Sequence, residues 1–361
     1  MPDWLAIALV DPVLRWAVYV TAALAVVTLL TMGQVLVLAE LGGRRLVRRR
    51  GFDADWRPRL AEATLYERAP PPWPAPSAQQ RLWFLLLWSR TQRQLRGEAH
   101  GRLNRLLQAY ALDRFALELL RRRGIHLRLL ALAVLRELAD PVHWDVVARF
   151  LRHDNPFLAL AAAEVLVTID AARAMRDVLP VVVARQDWTP QRIAALCQLA
   201  GRAAVSPPLL DALRSAPVAA QRRIAPLTQW AGPAVLAGWA RDVLDRPQES
   251  ADPGLRQAAL QVVGSLRDDA DRPRLSQALA DADAGVRLAA LKALGKQAAL
   301  KDLDQLLALL PDPDWAVRQE AADAIAAQPG FDRAAVERIA DTVADRYGRD
   351  ALRRAIAERH P

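Results

Sequence analysis

Few side chains in this sequence have the types and spacing that catalysis requires. The histidines form no His-Glu-x-x-His pattern, and no Cys/His set has the spacing of a zinc site; they are His100, His126, His143, His153 and His360. The phosphate-loop pattern GxxxxGK[ST], the dinucleotide pattern GxGxxG and the nucleophile pattern GxSxG are also missing from the sequence. We therefore expect no catalytic residue, no metal site and no cofactor, and hence a protein that is not an enzyme.

The remaining chemical candidates have structural explanations. Cys197 is the single cysteine, so no intramolecular disulfide can form, and its place in the apolar run IAALCQLAG predicts a buried thiol. His143 and His153 are ten residues apart and are expected to flank a helix rather than to bind a metal. The carboxylates of RDDAD at residues 267–271 are expected to be solvated in a turn between helices.

The charged residues that do recur at a fixed interval are aspartates and arginines. Each aspartate precedes an arginine by four residues, and the pairs recur at one constant interval: Asp252 and Arg256, Asp283 and Arg287, Asp314 and Arg318. Equivalent positions continue toward the N-terminus at the same or nearly the same interval, at Arg223, Arg192, Ala159 and Arg128. This periodicity predicts about seven copies of one unit between residues 113 and 332.

The composition predicts that each unit is a pair of helices. Apolar residues make up 53% of the chain and aromatic residues only 6%, while Ala and Leu, which favour helices, abound. The repeated aspartate is placed to cap a helix, and the dipeptides Asp252-Pro253, Asn155-Pro156 and Thr189-Pro190 put a capping residue before the favoured first helical residue. Small residues at equivalent positions allow close helix packing, and larger apolar residues lie on the same face: Ala259, Ala290, Ala321, Val263, Leu294 and Ile325.

The repeated pattern of Asp, then Val-Arg, then Ala-Ala-x-x-Leu resembles the short HEAT-like repeats of the phycobilisome-lyase type. The resemblance covers about 220 of 361 residues, and it is strongest in the last three copies. It implies a right-handed α-solenoid of helix pairs, along which the Asp and Arg of successive repeats form a structural ladder. Ladder positions would be Arg128, Arg192, Arg223, Asp252, Arg256, Asp283, Arg287, Asp314 and Arg318.

Two features predict irregular middle repeats. Ala159 breaks the ladder, and the stretch RSAPVAAQRR lacks the aspartate. Several prolines in the same region favour a bend: Pro207, Pro208, Pro217, Pro226 and Pro233.

A stretch near the N-terminus has the length and composition of a membrane span. Residues 16–39 contain no charged side chain, and about 20 apolar residues are enough to cross the hydrocarbon core as a helix. Five arginines follow the stretch, Arg44, Arg45, Arg48, Arg49 and Arg50, whereas only Arg15 precedes it. By the positive-inside rule, this asymmetry predicts a single-pass protein with residues 1–15 outside and the C-terminal domain in the cytoplasm. Abundant Arg, Ala, Pro and Gly are typical of a GC-rich bacterial genome, so the predicted location is a bacterial inner membrane. The same asymmetry argues against a cleaved signal peptide, in which positive charges come first.

The net charge of +9 arises in one segment of the chain. Residues 41–128 hold 19 arginines and seven acidic residues, whereas the stretches before and after it are close to neutral. We expect residues 40–80 to be a basic, Pro-rich juxtamembrane linker and residues 81–112 a basic helical segment. A helix would gather Arg90, Arg93 and Arg96 on one side, facing an anionic lipid surface. A solvated or packed helix is the alternative, and nucleic-acid binding is disfavoured.

The sequence thus predicts an all-α protein in which a transmembrane helix precedes a solenoid at residues 113–332 and capping helices at 333–361. The predicted function is that of a membrane-anchored scaffold whose cytoplasmic solenoid binds a protein partner at the membrane, with no small-molecule substrate. The alternatives are an enzyme or enzyme subunit similar to bilin lyases, which the repeat family includes, and polyanion or nucleic-acid binding through the basic segment.

Overall fold

The computed structural model describes residues 12–65, 73–246, 252–295, 303–328 and 330–359, and all regular elements in these ranges are helices. This confirms the predicted all-α fold. The helices pack as two compact units, Met1–Arg122 and Arg123–Pro361.

The first unit begins with one long helix. This helix, α1, runs over 54 residues from Pro12 to Leu65, a length of about 80 Å at the usual rise per residue. It is followed by α2 (Arg81–Gln92), α3 (Glu98–Ala109) and α4 (Leu112–Arg121). The predicted linker at 40–80 is therefore helical as far as Leu65 and continuous with the apolar stretch before it.

An apolar seam explains why α1 continues past the apolar stretch and through Pro58. Phe52, Trp56 and Leu60 recur every four residues, and all three are buried. The Trp56 ring meets Phe84 of α2 edge to face, with 4.9 Å between the ring centroids. Burial of this seam against α2 and α3 stabilises the helix beyond what local propensity would give.

The run Leu82 to Trp88 is part of the core of this unit. Phe84, Leu85 and Trp88 are fully buried, and the Trp88 indole donates a hydrogen bond of 3.0 Å to the Leu103 carbonyl of α3. Because α2 ends at Gln92, Arg90, Arg93 and Arg96 do not share one helix as we expected. Arg90 is in the last turn of α2, Arg93 caps it, and Arg96 follows it.

The second unit contains the repeats. Its helices are α5 (Ile125–Leu138), α6 (Trp144–Ala148), α7 (Pro156–Ile169), α8 (Ala171–Ala184), α9 (Pro190–Ala200), α10 (Arg202–Ser215), α11 (Val218–Ile224), α12 (Pro233–Asp245), α13 (Pro253–Leu266), α14 (Arg272–Ala278), α15 (Ala284–Gly295), α16 (Leu303–Ala308), α17 (Trp315–Ala326), α18 (Arg333–Thr342) and α19 (Arg346–Arg359). Short 3₁₀ segments at Pro141–His143, Arg149–Arg152, Ala225–Trp230 and Asp269–Asp271 extend some of them.

Each predicted copy corresponds to a helix pair in this unit. The odd-numbered helices from α5 to α17 carry the repeated motif, and each packs against the next motif helix or the segment that extends it. The alanines predicted to allow close approach, Ala259, Ala290 and Ala321, are completely buried. The two helices approach even more closely at Gly264, where a Cβ atom would lie 2.5 Å from the Ala293 side chain.

The predicted capping segment contains an eighth copy of the motif. Asp345 and Arg349 of α19 follow Asp314 and Arg318 at the same interval that separates the preceding copies. The Asp345 carboxylate accepts a hydrogen bond of 2.6 Å from the Gly348 amide, three residues on, as a helix cap does. The register of the repeats therefore continues to the last described helix.

The middle repeats accommodate their prolines in different ways. Pro207 and Pro208 lie inside α10, Pro217 caps α11, and Pro233 starts α12. Pro226 lies in the 3₁₀ segment that continues α11. The motif helix of the copy that contains α11 is thus part α-helical and part 3₁₀, which agrees with the predicted irregularity.

Candidate binding groove and its supporting ladder

The repeated aspartates cap their helices as predicted. Asp252 accepts a hydrogen bond of 2.7 Å from the Gly254 amide, Asp283 one of 2.9 Å from the Val286 amide, and Asp314 one of 2.8 Å from the Ala316 amide. In an earlier copy, Asn155 accepts two backbone hydrogen bonds in the same way. Thr189 is an exception, because its side chain makes no capping hydrogen bond.

The arginines of the motif pair with different aspartates from the ones that cap. Arg256 donates to both oxygens of Asp281, at 2.9 and 3.0 Å, and Arg287 donates to both oxygens of Asp312, at 2.8 Å each. Asp281 and Asp312 stand two residues before the capping aspartate of the next copy, and the pairs therefore connect consecutive repeats. We did not single out these two acids from the sequence, although they recur at the interval of the repeats.

Three arginines of the motif also hold the turn before their own helix. Arg287 donates to the carbonyl oxygens five and six residues earlier, at 3.1 and 2.9 Å. Arg318 and Arg349 repeat this contact with the carbonyls at the equivalent positions. Arg318 has no such acidic partner within the described residues, because Val343 occupies the position equivalent to Asp281 and Asp312. The Arg318 guanidinium instead lies over the Tyr347 ring, 5.4 Å from the ring centroid.

The Arg287–Asp312 pair is well shielded from solvent. The side chains of Arg287 and Asp312 are 12% and 5% exposed. Burial alone would raise the pKa of Asp312, but hydrogen bonds from Arg287 and from the Asp314 amide outweigh it and hold that pKa below its ordinary value. Asp312 is therefore a charged group inside the stack.

The ladder positions in the earlier copies are less regular. Arg128 contacts the His153 ring nitrogen at 3.2 Å and lies over Phe150. Arg223 donates to the Trp188 carbonyl at 3.4 Å, and Arg192 is exposed. The paired Arg–Asp rungs of the later repeats are therefore replaced here by contacts with a ring and with the backbone.

A second set of ion pairs joins the other helix layer. Asp271 is completely buried and accepts two hydrogen bonds of 2.8 Å from Arg241 and one of 3.0 Å from Arg274. Arg274 also binds Asp245, whose pKa it lowers through that hydrogen bond. We expected the carboxylates of residues 267–271 to be solvated, and for Asp271 this was wrong.

A groove of about 750 Å³ runs along three consecutive motif helices, α13, α15 and α17. We call it the α13–α17 groove. Small residues form much of its lining, among them Gly254, Ala258, Gly285 and Ala289. At Gly285 a Cβ atom would lie 2.3 Å from the Gln257 side chain, so the glycine leaves room for that side chain to reach Asp283.

The groove carries a few charged groups among apolar ones. Glu320 is half-buried, and burial raises its pKa, although Lys292 at 3.9 Å acts in the opposite direction. Asp323 is held by Arg354 of α19 at 2.6 Å. The groove is therefore a concave surface with a small-residue floor, an apolar Leu288 and isolated charges.

The histidine and cysteine side chains do not form a reactive site within the described residues. Cys197 is buried as predicted, and burial raises the pKa of its thiol to about 12. Both ring nitrogens of His143 are buried and have no hydrogen-bond partner among the described residues. In the repeat register, His143 occupies the position that Asp271 occupies four copies later. In the described ranges no group of three His, Cys, Asp or Glu residues is arranged to hold a metal ion.

The apolar part of α1 meets the length and composition requirements of a membrane span. Trp16–Leu36 is 21 residues long with a mean hydropathy of 1.8, and none of it is buried in the protein. A signal sequence would satisfy the same criteria. Of the arginines that follow, Arg48, Arg49 and Arg50 are exposed on α1, and the structure places the backbone of Arg44 and Arg45 on the same helix. Arg90, Arg93 and Arg96 are also exposed.

A comparison with protein families agrees with the repeated helix pairs. A family model described as HEAT repeats matches residues 241–326. A crystal structure of an engineered protein from the Northeast Structural Genomics Consortium aligns over 82% of this chain and 92% of its own, at 17% identity and a TM-score of 0.33. No curated protein matches the sequence.

The fold and the family match define the class: the described residues are all-helical, the stacked helix pairs of the second unit are consistent with an α-solenoid, and residues 241–326 match HEAT repeats. More particularly, the matched repeats are the copies from α12 to α17, which contain both Arg–Asp ladder pairs and most of the groove.

Proposed function

We propose that this protein is a non-enzymatic, membrane-anchored scaffold whose solenoid binds a protein partner in the α13–α17 groove. The groove is the observation that carries the proposal. It crosses three consecutive repeats, and the Arg–Asp pairs connect the repeats whose helices form it. A binding surface on rigid, mutually braced helices loses little conformational entropy when the partner docks.

The membrane part of the proposal rests on α1. The exposed apolar stretch Trp16–Leu36 is followed on the same helix by the arginine cluster of residues 44–50, and this charge asymmetry favours a cytoplasmic C-terminal side. The proposed location is the inner membrane of a bacterium. An anionic lipid surface is the proposed contact for the start of this arginine cluster, because the helix backbone at Arg44 lies about 12 Å beyond Leu36, within about one Debye length of the headgroup layer.

Lipid contact by Arg90, Arg93 and Arg96 has less support, because these arginines lie on or next to α2, which packs in the aromatic core of the first unit. Phe52, where the aromatic core of the first unit begins, is 16 residues beyond Leu36 and therefore about 24 Å further along α1. Because the headgroup layer is only about 5–8 Å thick on each side, an upright α1 would hold this core away from the lipid.

The partner site can be tested with a photo-crosslinking residue at Leu288 in full-length protein in native membranes. We expect one or two membrane-complex proteins to crosslink at Leu288 and not at a matched position on α18, such as Ala334, which is exposed. Filling the groove with Ala289→Trp should abolish the crosslink, whereas Ala334→Trp should leave it unchanged. If the Leu288 crosslinks persist in the Ala289→Trp variant, the groove is not the partner site.

The same experiment separates the scaffold from the enzyme alternative. A pigment or metabolite that copurifies with the protein and is lost in the Ala289→Trp variant would favour a lyase-like activity in the groove. A variant without residues 1–50 tests the anchor, because the proposal requires it to leave the membrane fraction.

A further inference from the structure

A second concave surface lies on the other helix layer, at the N-terminal end of the solenoid. It is a cavity of about 720 Å³ between the 3₁₀ segment Arg149–Arg152 and α8. Three arginines surround it, Arg149, Arg152 and Arg176, and its floor is apolar. We call this surface the arginine furrow.

The furrow has an excess of positive charge that the described residues do not neutralise. Arg149, Arg152 and Arg176 are exposed, and none of them makes an ion pair within the described ranges. The fourth arginine of the lining, Arg185, is already occupied: it binds Asp187 at 2.6 Å and donates to the His153 carbonyl at 2.7 Å. The single acidic residue of the lining is Asp177.

The apolar part of the furrow continues toward the next repeat. Leu151, Pro180 and Val181 line the cavity, and Leu151 is buried. A neighbouring cavity of about 440 Å³ shares Arg176 and Pro180 with it and extends to α10, where Pro208 lines it. The apolar floor therefore extends over two helix pairs, whereas the arginines lie along the first cavity and the second adds one acidic residue, Asp211.

We propose that the arginine furrow binds an acidic, partly apolar peptide segment of a protein partner. Arginine forks bind carboxylates in pairs of parallel hydrogen bonds, and the apolar floor accepts the side chains between the acids. Neither cavity is lined by a Trp, Tyr or Phe on which a nucleic-acid base could stack. This site is separate from the α13–α17 groove and does not depend on it.

The test uses full-length protein in neutral detergent micelles and two labelled peptides. One is a 12-residue peptide with the repeat Glu-Leu-Glu-Ala, and the other has Gln in place of every Glu. We expect fluorescence anisotropy to show binding of the Glu peptide only, and Arg149→Gln, Arg152→Gln and Arg176→Gln together to weaken it at least tenfold. Because the three side chains are exposed, this variant should keep its circular dichroism spectrum and melting temperature.

A second triple variant removes the same charge elsewhere on the solenoid. Arg192→Gln, Arg202→Gln and Arg338→Gln change exposed arginines outside the furrow, and this variant should bind the Glu peptide like the wild type. Equal weakening in both variants would show a general charge effect and overturn the proposal. No binding of the Glu peptide to the wild type would also overturn it.

A nucleic-acid competitor decides between the two kinds of polyanion. If a 12-nucleotide single-stranded DNA displaces the Glu peptide at equal or lower concentration, and loses its own affinity in the furrow variant, a nucleic-acid site replaces the peptide site. The proposal requires the DNA to compete at least tenfold more weakly than the unlabelled Glu peptide.

Discussion

The Arg287–Asp312 pair allows the ladder to be tested directly. The substitution Arg287→Gln removes both 2.8 Å hydrogen bonds from the guanidinium to Asp312 and the two that hold its own preceding turn. Asp312, whose surface is 8% exposed when its backbone is included, keeps one hydrogen-bond donor, the Asp314 amide. The variant therefore contains a buried carboxylate that has lost its hydrogen-bonded counter-charge, while Arg318 still lowers its pKa from a greater distance.

The loss of this counter-charge sets the expected decrease in the free energy of unfolding. Removing one partner of a buried ion pair costs about 3–5 kcal/mol. We expect the lower end, about 3 kcal/mol, because the Asp314 amide still donates to Asp312. The matched variant Arg318→Gln loses two carbonyl contacts and a cation–π contact but no carboxylate partner, for which about 1–2 kcal/mol is expected.

Hydrogen exchange read by mass spectrometry measures this local free energy in the full-length protein. Protection should fall in the peptides that cover residues 303–328, and it should fall more for Arg287→Gln than for Arg318→Gln. A double-mutant cycle with Asp312→Asn should give a coupling energy above about 1 kcal/mol. Equal losses in the two arginine variants, or a coupling near zero, would refute the role assigned to the pair.

Three further predictions concern single groups. Gly348→Ala should cost about 1–2 kcal/mol and expose α19 to exchange, because the new Cβ would lie 2.7 Å from the Leu310 carbonyl oxygen. The Cys197 thiol, with its pKa raised to about 12 by burial, should resist Ellman's reagent at pH 8 until the protein is unfolded. Because the folded-state pKa of Asp312 lies below its unfolded value of about 3.9, its stabilising effect is present above that pH and is lost as the pH falls through the folded pKa. The difference in melting temperature between wild type and Arg287→Gln should therefore shrink as the pH is lowered from 6 to 3.

Each of these predictions has a control. Gly295→Ala places its Cβ in open space and should not reduce stability. Labelling of Cys197 in the native protein at the rate seen in denaturant would contradict its burial. A melting difference that stays constant between pH 6 and pH 3 would show that Asp312 does not titrate differently in the two proteins.

The sequence was most informative where one residue type has one local role. The capping aspartates and the buried alanines occupy predicted positions because capping and close packing depend on a few neighbouring residues. The partner of Arg287 could not be chosen from type alone, since Asp281, Asp283, Asp312 and Asp314 were all available. Distinguishing among them requires the distance between consecutive turns, which depends on how the helices stack.

The other differences have similar causes. The eighth copy was not predicted because Gly348 stands where the two preceding copies have Val286 and Val317, and a close contact with Leu310 demands the glycine. The helix at residues 40–65 was hidden by Pro58, whose usual effect is overridden by the buried seam of Phe52, Trp56 and Leu60. The α13–α17 groove depends on three helices that are distant in sequence, so no local pattern could predict it.

The continuity of α1 has a mechanical consequence. A flexible linker absorbs motion, whereas an unbroken helix transmits both translation and rotation along its axis. Between Leu36 and Phe52 the helix has no proline, and its rise and twist are fixed at about 1.5 Å and 100° per residue. A shift of the apolar stretch along the helix axis would therefore move the Phe52 side chain by the same distance. A rotation of the stretch about that axis would rotate the whole aromatic cluster of the first unit by the same angle.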